Sequence, residues 1–442
     1  MLRSLLLLTL SAVVGMAQPA VRFDDVMKAY SRDGHFMGSV LVAKDGAIVF
    51  EKSVGWANAE WQIANSATTK FRIGSLTKSI TATAILLLNE QGKLTLDDPL
   101  SQLLPSAPVA WGAVTVRQLL THTSGVPSFT SHPEYKIWKL SSATAAEIVA
   151  RIAHQPLDFA PGEKYNYSNT GYLLLGWIVE AVSGKSYENF FRESIFQPLG
   201  MKDSGYDSVR AVIPQRASGY DPSGDGPINA AYVDMHVPGG AGGLYSTTGD
   251  LLKYTLGVLG GKLLKPESLE QMTTPVKNGY GFGLGIGKVN GRRALGHSGA
   301  IEGFVSHLAY YPDDKVTVIV LANLASAQPD QIATKLAAVE FGEAVTLPSE
   351  HTAISVARST LERYVGKYAL SPTFILTITR EGDQLQGQAT GQSMFPLLPE
   401  AETKFFVKAI DVEVEFVSDA AGSITHLVLT QGGRPSRAGK LP

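Results

Sequence analysis

Phe71 to Lys78 reads F-R-I-G-S-L-T-K and places a serine three residues before a lysine. Gly74 permits a tight entry into a helix, and apolar residues recur at helical spacing over 80–88. We therefore expect Ser75 at a helix N-terminus, with the amine of Lys78 on the same face and close to the serine oxygen. A serine becomes nucleophilic when a base takes its proton, and a buried lysine can be that base.

The same spacing also has an ordinary interpretation, in which Ser75 caps the helix and Lys78 is solvated. By average composition, a serine followed three residues later by a lysine is expected about once or twice in a chain of this length. The motif alone therefore leaves both interpretations open.

A second motif lies at Tyr165-Asn166-Tyr167-Ser168-Asn169, directly before a helical pattern over Gly171–Val182. This order places Tyr167 and Asn169 in the loop before the helix. A phenol can share proton transfer with a lysine, and a carboxamide can hold the lysine or a substrate carbonyl. The ordinary interpretation is that Asn169 or Thr170 caps the helix while Tyr167 packs beneath it.

A third motif, Gly296-His297-Ser298-Gly299-Ala300, ends a predicted short strand. Its backbone N–H groups can complete an oxyanion site with the amide of Ser75. The glycine-rich run Gly239–Gly243 is not followed by Gly-Lys-Ser/Thr, which excludes a nucleotide loop and predicts close backbone approach beside the site. His122, in T-H-T-S-G, is predicted to be a hydrogen-bonded loop residue.

The motifs S-L-T-K, Y-S-N and H-S-G, in this order, resemble those of the serine β-lactamase-related family, the group with class C β-lactamases, serine DD-peptidases and family VIII esterases. The similarity runs from about Val21 to Phe341 and includes V-T-V-R-Q-L-L-T-H-T-S-G-V-P at Val114–Pro127. The later segment that begins Tyr364-Val365-Gly366-Lys367-Tyr368 is similar to the lipocalin-like barrel that follows some members.

The resemblance implies a role for each matching residue. Ser75 is then the acylated nucleophile, and Lys78 accepts or relays its proton. Tyr167 is the partner base and later the proton donor to the leaving group. Asn169 orients Lys78 and the substrate.

The third motif supplies the remaining predicted roles. The resemblance implies that His297 and Gly299 help to bind the substrate and that the amides of Ser75 and Ala300 form the oxyanion hole. Lactamases of this group usually carry lysine at the position of His297, where it helps to hold the substrate carboxylate. Histidine is mostly neutral near pH 7, with a reference pKa of about 6.5, so it holds a carboxylate less well.

We therefore predict a serine hydrolase that forms an acyl-enzyme with small-molecule esters, amides or D-amino-acid peptides and has weak or no β-lactamase activity. Similar histidine-bearing members are DD-peptidases, D-aminopeptidases and some esterases. The alternative is a penicillin-recognition sensor that is acylated without turnover. An α/β-hydrolase built on 296–300 is disfavoured, because the final glycine of G-x-S-x-G is missing and a strand-like run, not a helix, follows.

The amino-acid composition argues against several other classes of enzyme, binding site and partner. The chain has no cysteine, which excludes a thiol nucleophile, thiolate metal sites and disulfides. The sequence also lacks the H-E-x-x-H spacing that would indicate a zinc site. A net charge of −2 gives no reason to expect nucleic acid as a partner. We expect neither a metal nor a cofactor, and the sequence does not indicate an oligomeric state.

The chain is predicted to contain a signal peptide and two domains. Residues 1–17 have the pattern of a signal peptide cleaved after Ala17, which predicts a secreted or periplasmic protein without a later membrane span. Residues 18–344 are predicted as an α+β hydrolase domain, in which an antiparallel sheet from both ends is flanked by helices and carries a helical subdomain. A linker over 345–357 and an all-β barrel over 358–442 follow.

Overall fold

The computed structural model describes residues 22–224, 226–347, 351–392, 394–407, 412–431 and 434–441. The predicted signal peptide, residues 1–17, lies outside the described residues. Within the described part of the chain, none of the helices has the length and apolar character that a membrane crossing requires.

The helices, in chain order, are α1 (Phe23–Ser31), α2 (Thr77–Glu90), α3 (Leu100–Leu103), α4 (Val116–Leu120), α5 (Tyr135–Trp138), α6 (Ala145–Ile152), α7 (Asn169–Ser183), α8 (Tyr187–Phe191), α9 (Gln197–Leu199), α10 (Gly239–Gly242), α11 (Thr248–Tyr254), α12 (Pro266–Met272), α13 (Pro329–Glu340) and α14 (Arg358–Tyr364).

The strands of the first part are β1 (Gly38–Lys44), β2 (Ala47–Val54), β3 (Trp56–Asn58), β4 (Ile63–Ala64), β5 (Phe71–Arg72), β6 (Gly205–Tyr206), β7 (Tyr220–Ser223), β8 (Gly226–Asn229), β9 (Leu244–Ser246), β10 (Gly285–Val289), β11 (Arg292–Ile301), β12 (Phe304–Tyr311) and β13 (Val316–Ala322). The strands of the second part are β14 (Gly366–Ser371), β15 (Phe374–Glu381), β16 (Gln384–Ala389), β17 (Phe395–Pro399), β18 (Lys404–Val407), β19 (Val412–Ser418), β20 (Ile424–Gln431) and β21 (Arg434–Lys440).

A six-stranded sheet in the order β10-β11-β12-β13-β1-β2 forms the centre of the first part. Asp45-Gly46, a dipeptide typical of hairpin turns, joins β1 to β2, and both turn residues have positive φ, 51° and 84°, as a tight hairpin turn requires. β1 pairs antiparallel with β13, so that Gly38 lies opposite Ala322. The prediction of a sheet built from both ends of this region is confirmed.

The two faces of this sheet are covered by helices. Val318 and Val320 of β13 pack with Ile332 of α13 in one apolar cluster. Ile319 and Leu321, which alternate with them, belong to the larger cluster that contains α2 and α7. Because successive side chains of a strand point to opposite faces, the continuous apolar run of β13 is buried on both sides.

The helix that the sequence predicts over Gly171–Val182 has other bounds in the structure. The helix predicted from Gly171 begins at Asn169, because Ser168 is the N-cap residue and its Oγ accepts the N–H of Gly171 at 3.3 Å. α8 ends at Phe191, and five residues in a π-helical turn follow it.

The second part is a closed barrel of eight antiparallel strands, β14 to β21, as predicted. Its interior is filled by apolar side chains. Tyr364 stacks on Phe416 with ring centroids 4.2 Å apart, and Phe405 meets both rings edge-on. These aromatic contacts connect α14 to the barrel core.

A buried ionic cluster anchors the strand that leads to Ser75. The carboxylate of Asp207 is fully buried and accepts hydrogen bonds from Arg72 Nε and Arg216 Nη1, both at 2.6 Å. Arg72 lies in β5, three residues before Ser75. The cluster therefore fixes the backbone on which the site is built.

We predict that Asp207→Ala destabilises the first part by about 3–5 kcal/mol, because it leaves two arginines without their buried counter-ion. Asp97→Ala is the matched control, since the exposed Asp97–Arg117 pair contributes at most about 1 kcal/mol. Urea unfolding followed by tryptophan fluorescence measures both, because all five tryptophans lie between Trp56 and Trp177. Equal losses in the two variants would contradict the prediction.

Candidate active site

Ser75 lies in a 3-10 turn, Gly74–Leu76, that leads into α2. Gly74 has a φ of 49°, and a Cβ there would lie 2.8 Å from the backbone nitrogen of Ala300. Glycine therefore lets the turn pack against β11. The N-cap residues here are Ile73 and Leu76, neither with a side-chain capping bond, so the interpretation of Ser75 as a helix cap is wrong.

The amine of Lys78 is completely buried and has three oxygen neighbours. Its Nζ lies 3.0 Å from Ser75 Oγ, 2.8 Å from Asn169 Oδ1 and 2.8 Å from the carbonyl oxygen of Ala241. Burial lowers the pKa of Lys78 well below its ordinary value.

A neutral amine has two N–H donors and one lone pair. Asn169 Oδ1 and the Ala241 carbonyl can only accept, so they take the two N–H groups of Lys78. The lone pair then faces the hydroxyl of Ser75, which can donate to it. This arrangement would allow Lys78 to act as a general base toward Ser75.

The orientation of Asn169 is fixed by its neighbours. Asn169 is the first residue of α7, not a loop residue, and its backbone N–H donates to Ser128 Oγ at 3.1 Å. Its side-chain amide donates to Thr130 Oγ1 at 3.0 Å, which turns Oδ1 toward Lys78.

Tyr167 lies on the other side of the serine. Its hydroxyl shares a hydrogen bond with the Ser75 side chain, and burial raises its pKa above the ordinary value, so the phenol stays protonated. The Tyr167 ring centroid is 4.8 Å from Lys78 Nζ. The structure thus brings Ser75, Lys78, Tyr167 and Asn169 together.

His297 lies in β11 beside this group, with its ring centroid 6.2 Å from that of Tyr167. Its Nδ1 is 2.5 Å from the Ser298 carbonyl oxygen, so Nδ1 carries the proton. Its Nε2 therefore accepts the hydroxyl of Tyr280 at 3.0 Å. Burial and the nearby Lys78 lower the pKa of His297 to about 3, which makes the ring neutral at physiological pH.

The two last residues of the H-S-G-A motif differ in their surroundings. Gly299 is buried, and a Cβ there would lie 2.1 Å from the carbonyl oxygen of Ile73, so its structural contribution is a close contact between β11 and the segment before Ser75. Ala300 is exposed and lines the same cavity as Ser75.

Two cavities adjoin the site and differ in charge. The one beside Tyr167 and His297 measures about 510 Å³, and Lys288 is the charged residue among those that the structure describes in its lining. The one beside Ser75 and Asn169 measures about 420 Å³, and its described lining residues include Asp221 and Glu302 but neither lysine nor arginine.

Some of these contacts could not be found from the sequence. The sequence indicates the contact of the Ala241 carbonyl only through the glycine run around it. No local sequence pattern indicates that Ser128, Thr130 and Tyr280 contact site residues. Among the described residues there is no group of three or more histidine, aspartate or glutamate side chains placed to hold a metal ion.

The chain matches two protein-family models. The model described as Beta-lactamase covers residues 23–342. A second model, described as a domain of unknown function (DUF3471), covers residues 350–438.

Known proteins similar to this chain include a penicillin-binding protein and an amidase. Penicillin-binding protein 4* of Bacillus subtilis (strain 168) is 32% identical over 88% of this chain and 92% of its own length. The octameric penicillin-binding protein homologue from Pyrococcus abyssi is 29% identical, with a TM-score of 0.68 over 94% of this chain and 98% of its own. The D-amino acid amidase from Ochrobactrum anthropi SV3, complexed with D-phenylalanine, is 27% identical, with a TM-score of 0.60 over 68% of this chain and 92% of its own.

We predict that the reactivity of Ser75 toward a fluorophosphonate rises with pH and levels off, because only the neutral form of Lys78 accepts the proton. Since the pKa of Lys78 is lowered, the half-maximal rate should come well below the ordinary lysine value of about 10.4. His297→Gln is the control, because glutamine can still accept from Tyr280 but does not titrate. A midpoint near the ordinary histidine value of about 6.5 that disappears in His297→Gln would contradict the assignment to Lys78.

Proposed function

This chain belongs to the Beta-lactamase family and is a serine hydrolase, and we propose that it hydrolyses esters or amides of D-amino acids whose amino group is free. The observation that carries the proposal is the acidic cavity beside Ser75. The predicted signal peptide is the ground for proposing that the reaction takes place in the periplasm or outside the cell.

The charge of this cavity favours an ammonium group. The negative charge of Glu302 is balanced by Lys139, whose Nζ lies 2.6 Å from Glu302 Oε1. Asp221 has no ionic partner among the described residues. Burial and the nearby Glu302 raise the pKa of Tyr135 in the same wall to about 12, so this phenol adds no negative charge. Opposite charges about 4 Å apart attract by about 1–4 kcal/mol between water and a protein surface, and a carboxylate is repelled correspondingly.

The D configuration is proposed from the similarity to the D-amino acid amidase that holds D-phenylalanine. The neutral ring of His297 provides no positive charge for a substrate carboxylate. Penicillins, cephalosporins and peptides ending in D-alanine all carry such a carboxylate, so we propose that they are poorer substrates than amino-acid amides and esters.

Acylation then follows from the hydrogen bonds of the site. The Lys78 lone pair takes the proton of Ser75 as Oγ attacks the substrate carbonyl, and the backbone N–H groups of Ser75 and Ala300 are proposed to hold the developing oxyanion. The Tyr167 hydroxyl gives its proton to the leaving nitrogen or oxygen and regains one from Lys78. The carbonyl–leaving-group bond breaks, and an ester of Ser75 remains.

Deacylation repeats these steps with water. Water attacks the ester carbonyl, and its proton passes through Tyr167 and Lys78 to the departing Ser75 oxygen. The free amino acid leaves, and each group has its starting proton again.

We predict that Tyr167→Phe lowers kcat/KM for D-phenylalanine p-nitroanilide by about 10²–10⁴, because the leaving amine loses its proton donor. The loss for the p-nitrophenyl ester should be smaller, since nitrophenolate leaves without protonation. Tyr165→Phe is the matched control, because its ring lies in the same cluster, 5.9 Å from that of Tyr280. Equal losses for amide and ester would contradict the role of Tyr167 as proton donor.

We predict that Asp221→Asn raises KM for D-phenylalanine p-nitroanilide about tenfold, which corresponds to a loss of about 1.4 kcal/mol of binding. The N-acetylated twin of this substrate lacks the ammonium group and should be a poor substrate of the wild type, changed less than about twofold by the variant. A wild type that prefers the N-acetyl substrate, the L enantiomer or a cephalosporin would overturn the proposed substrate class.

A further inference from the structure

His122 is a buried histidine that the reaction steps above do not use. It follows α4, and its side chain and backbone are almost completely buried. Its φ is 56°, in the left-handed region that residues other than glycine seldom adopt. Its ring packs on the ring of Tyr167, with centroids 4.2 Å apart and planes inclined by 37°.

His122 also holds the backbone on both sides of Tyr167. Its carbonyl oxygen accepts the N–H of Asn166 at 2.9 Å. Its Nδ1 accepts the N–H of Ser168 at 3.1 Å. One residue therefore constrains the preceding peptide, the following peptide and the ring of the tyrosine that contacts Ser75.

The protonation of His122 follows from these bonds. Since Nδ1 accepts an N–H through its lone pair, Nδ1 is unprotonated and the ring proton is on Nε2. Nε2 is buried and has no hydrogen-bond partner among the described residues. Burying an unpartnered N–H costs free energy, a cost that a phenylalanine filling the same space would not incur.

The neutral ring suits its surroundings. Burial and the nearby Lys78 lower the pKa of His122 well below its ordinary value. The lone pair on Nδ1 therefore persists, and no second positive charge lies near the amine that must accept a proton.

We propose that His122 is a positioning residue that holds the Tyr167 hydroxyl against Ser75 by fixing both peptides that flank Tyr167. It lines neither of the two cavities at the site, so it acts through Tyr167 and not on the substrate. This role rests on the proposed acyl-enzyme chemistry but not on the proposed substrate class.

If Tyr167 is no longer held in place, the loss of rate should depend on the leaving group of the substrate. Tyr167 protonates a departing amine, whereas nitrophenolate leaves unaided. A displaced Tyr167 hydroxyl therefore slows an anilide more than an ester with the same acyl group, and a general loss of folded protein slows both equally.

The test compares His122→Phe, which keeps an aromatic ring but removes the acceptor, with His122→Asn, which keeps an acceptor near Nδ1. Asparagine also tolerates positive φ, so thermal unfolding of both variants is measured beside kcat and KM. We expect His122→Phe to lower kcat/KM at least tenfold more for D-phenylalanine p-nitroanilide than for its p-nitrophenyl ester. His122→Asn should stay within about threefold of wild type for both substrates.

Equal losses for the two substrates in folded His122→Phe, or a loss of less than twofold, would overturn the proposal. If His122→Phe does not fold, His122→Asn decides: retained anilide activity supports the proposal, and a selective anilide loss despite the retained acceptor overturns it.

A wild type that hydrolyses neither substrate would contradict the proposed substrate class instead. Crystal structures of the variants would then test His122 without a substrate. We expect the Tyr167 hydroxyl to lie beyond hydrogen-bond distance of Ser75 Oγ in His122→Phe and within that distance in His122→Asn. An unmoved Tyr167 hydroxyl in His122→Phe would overturn the proposal.

Discussion

The buried amine of Lys78 is the constraint on which the rest of the site depends. Lys78 has no carboxylate partner among the described residues, and an ammonium group enclosed without a counter-ion is strongly disfavoured, so burial favours the neutral amine. Two acceptor oxygens, from Asn169 and Ala241, use its N–H groups and leave its lone pair to Ser75. These hydrogen bonds support the proposed transfer of the serine proton to Lys78.

The fold supplies these partners from three distant segments. The 3-10 turn before α2 carries Ser75, and α2 itself carries Lys78. α7 carries Asn169, and α10 supplies the Ala241 carbonyl. α7 and α10 approach closely through two glycines, since a Cβ on Gly176 would lie 3.2 Å from the Cα of Gly240. The geometry of the site therefore depends on how these elements pack together. The six-stranded sheet places β11 along the open side of the site.

Local signals made much of this architecture predictable from the sequence. The Asp45-Gly46 turn determines its own hairpin, and Ser75 and Lys78 share one helical face because they are three residues apart. The sequence predicts a later start for α7 than the structure has, because Ser168, Asn169 and Thr170 can all cap a helix and only the packed structure selects Ser168. The Ala241 carbonyl and the charge at Asp221 depend on contacts between remote segments, which no spacing rule encodes.

The central claim is that Ser75 carries the acyl group and releases it, and time-resolved intact-mass spectrometry tests this most directly. Wild type and Ser75→Ala would each be mixed with the p-nitrophenyl ester of D-phenylalanine. A transient adduct of one phenylalanyl group on wild type alone, with product released over many turnovers, is the predicted result. Wild-type turnover by Ser75→Ala, or a permanent adduct on wild type without turnover, would contradict the account.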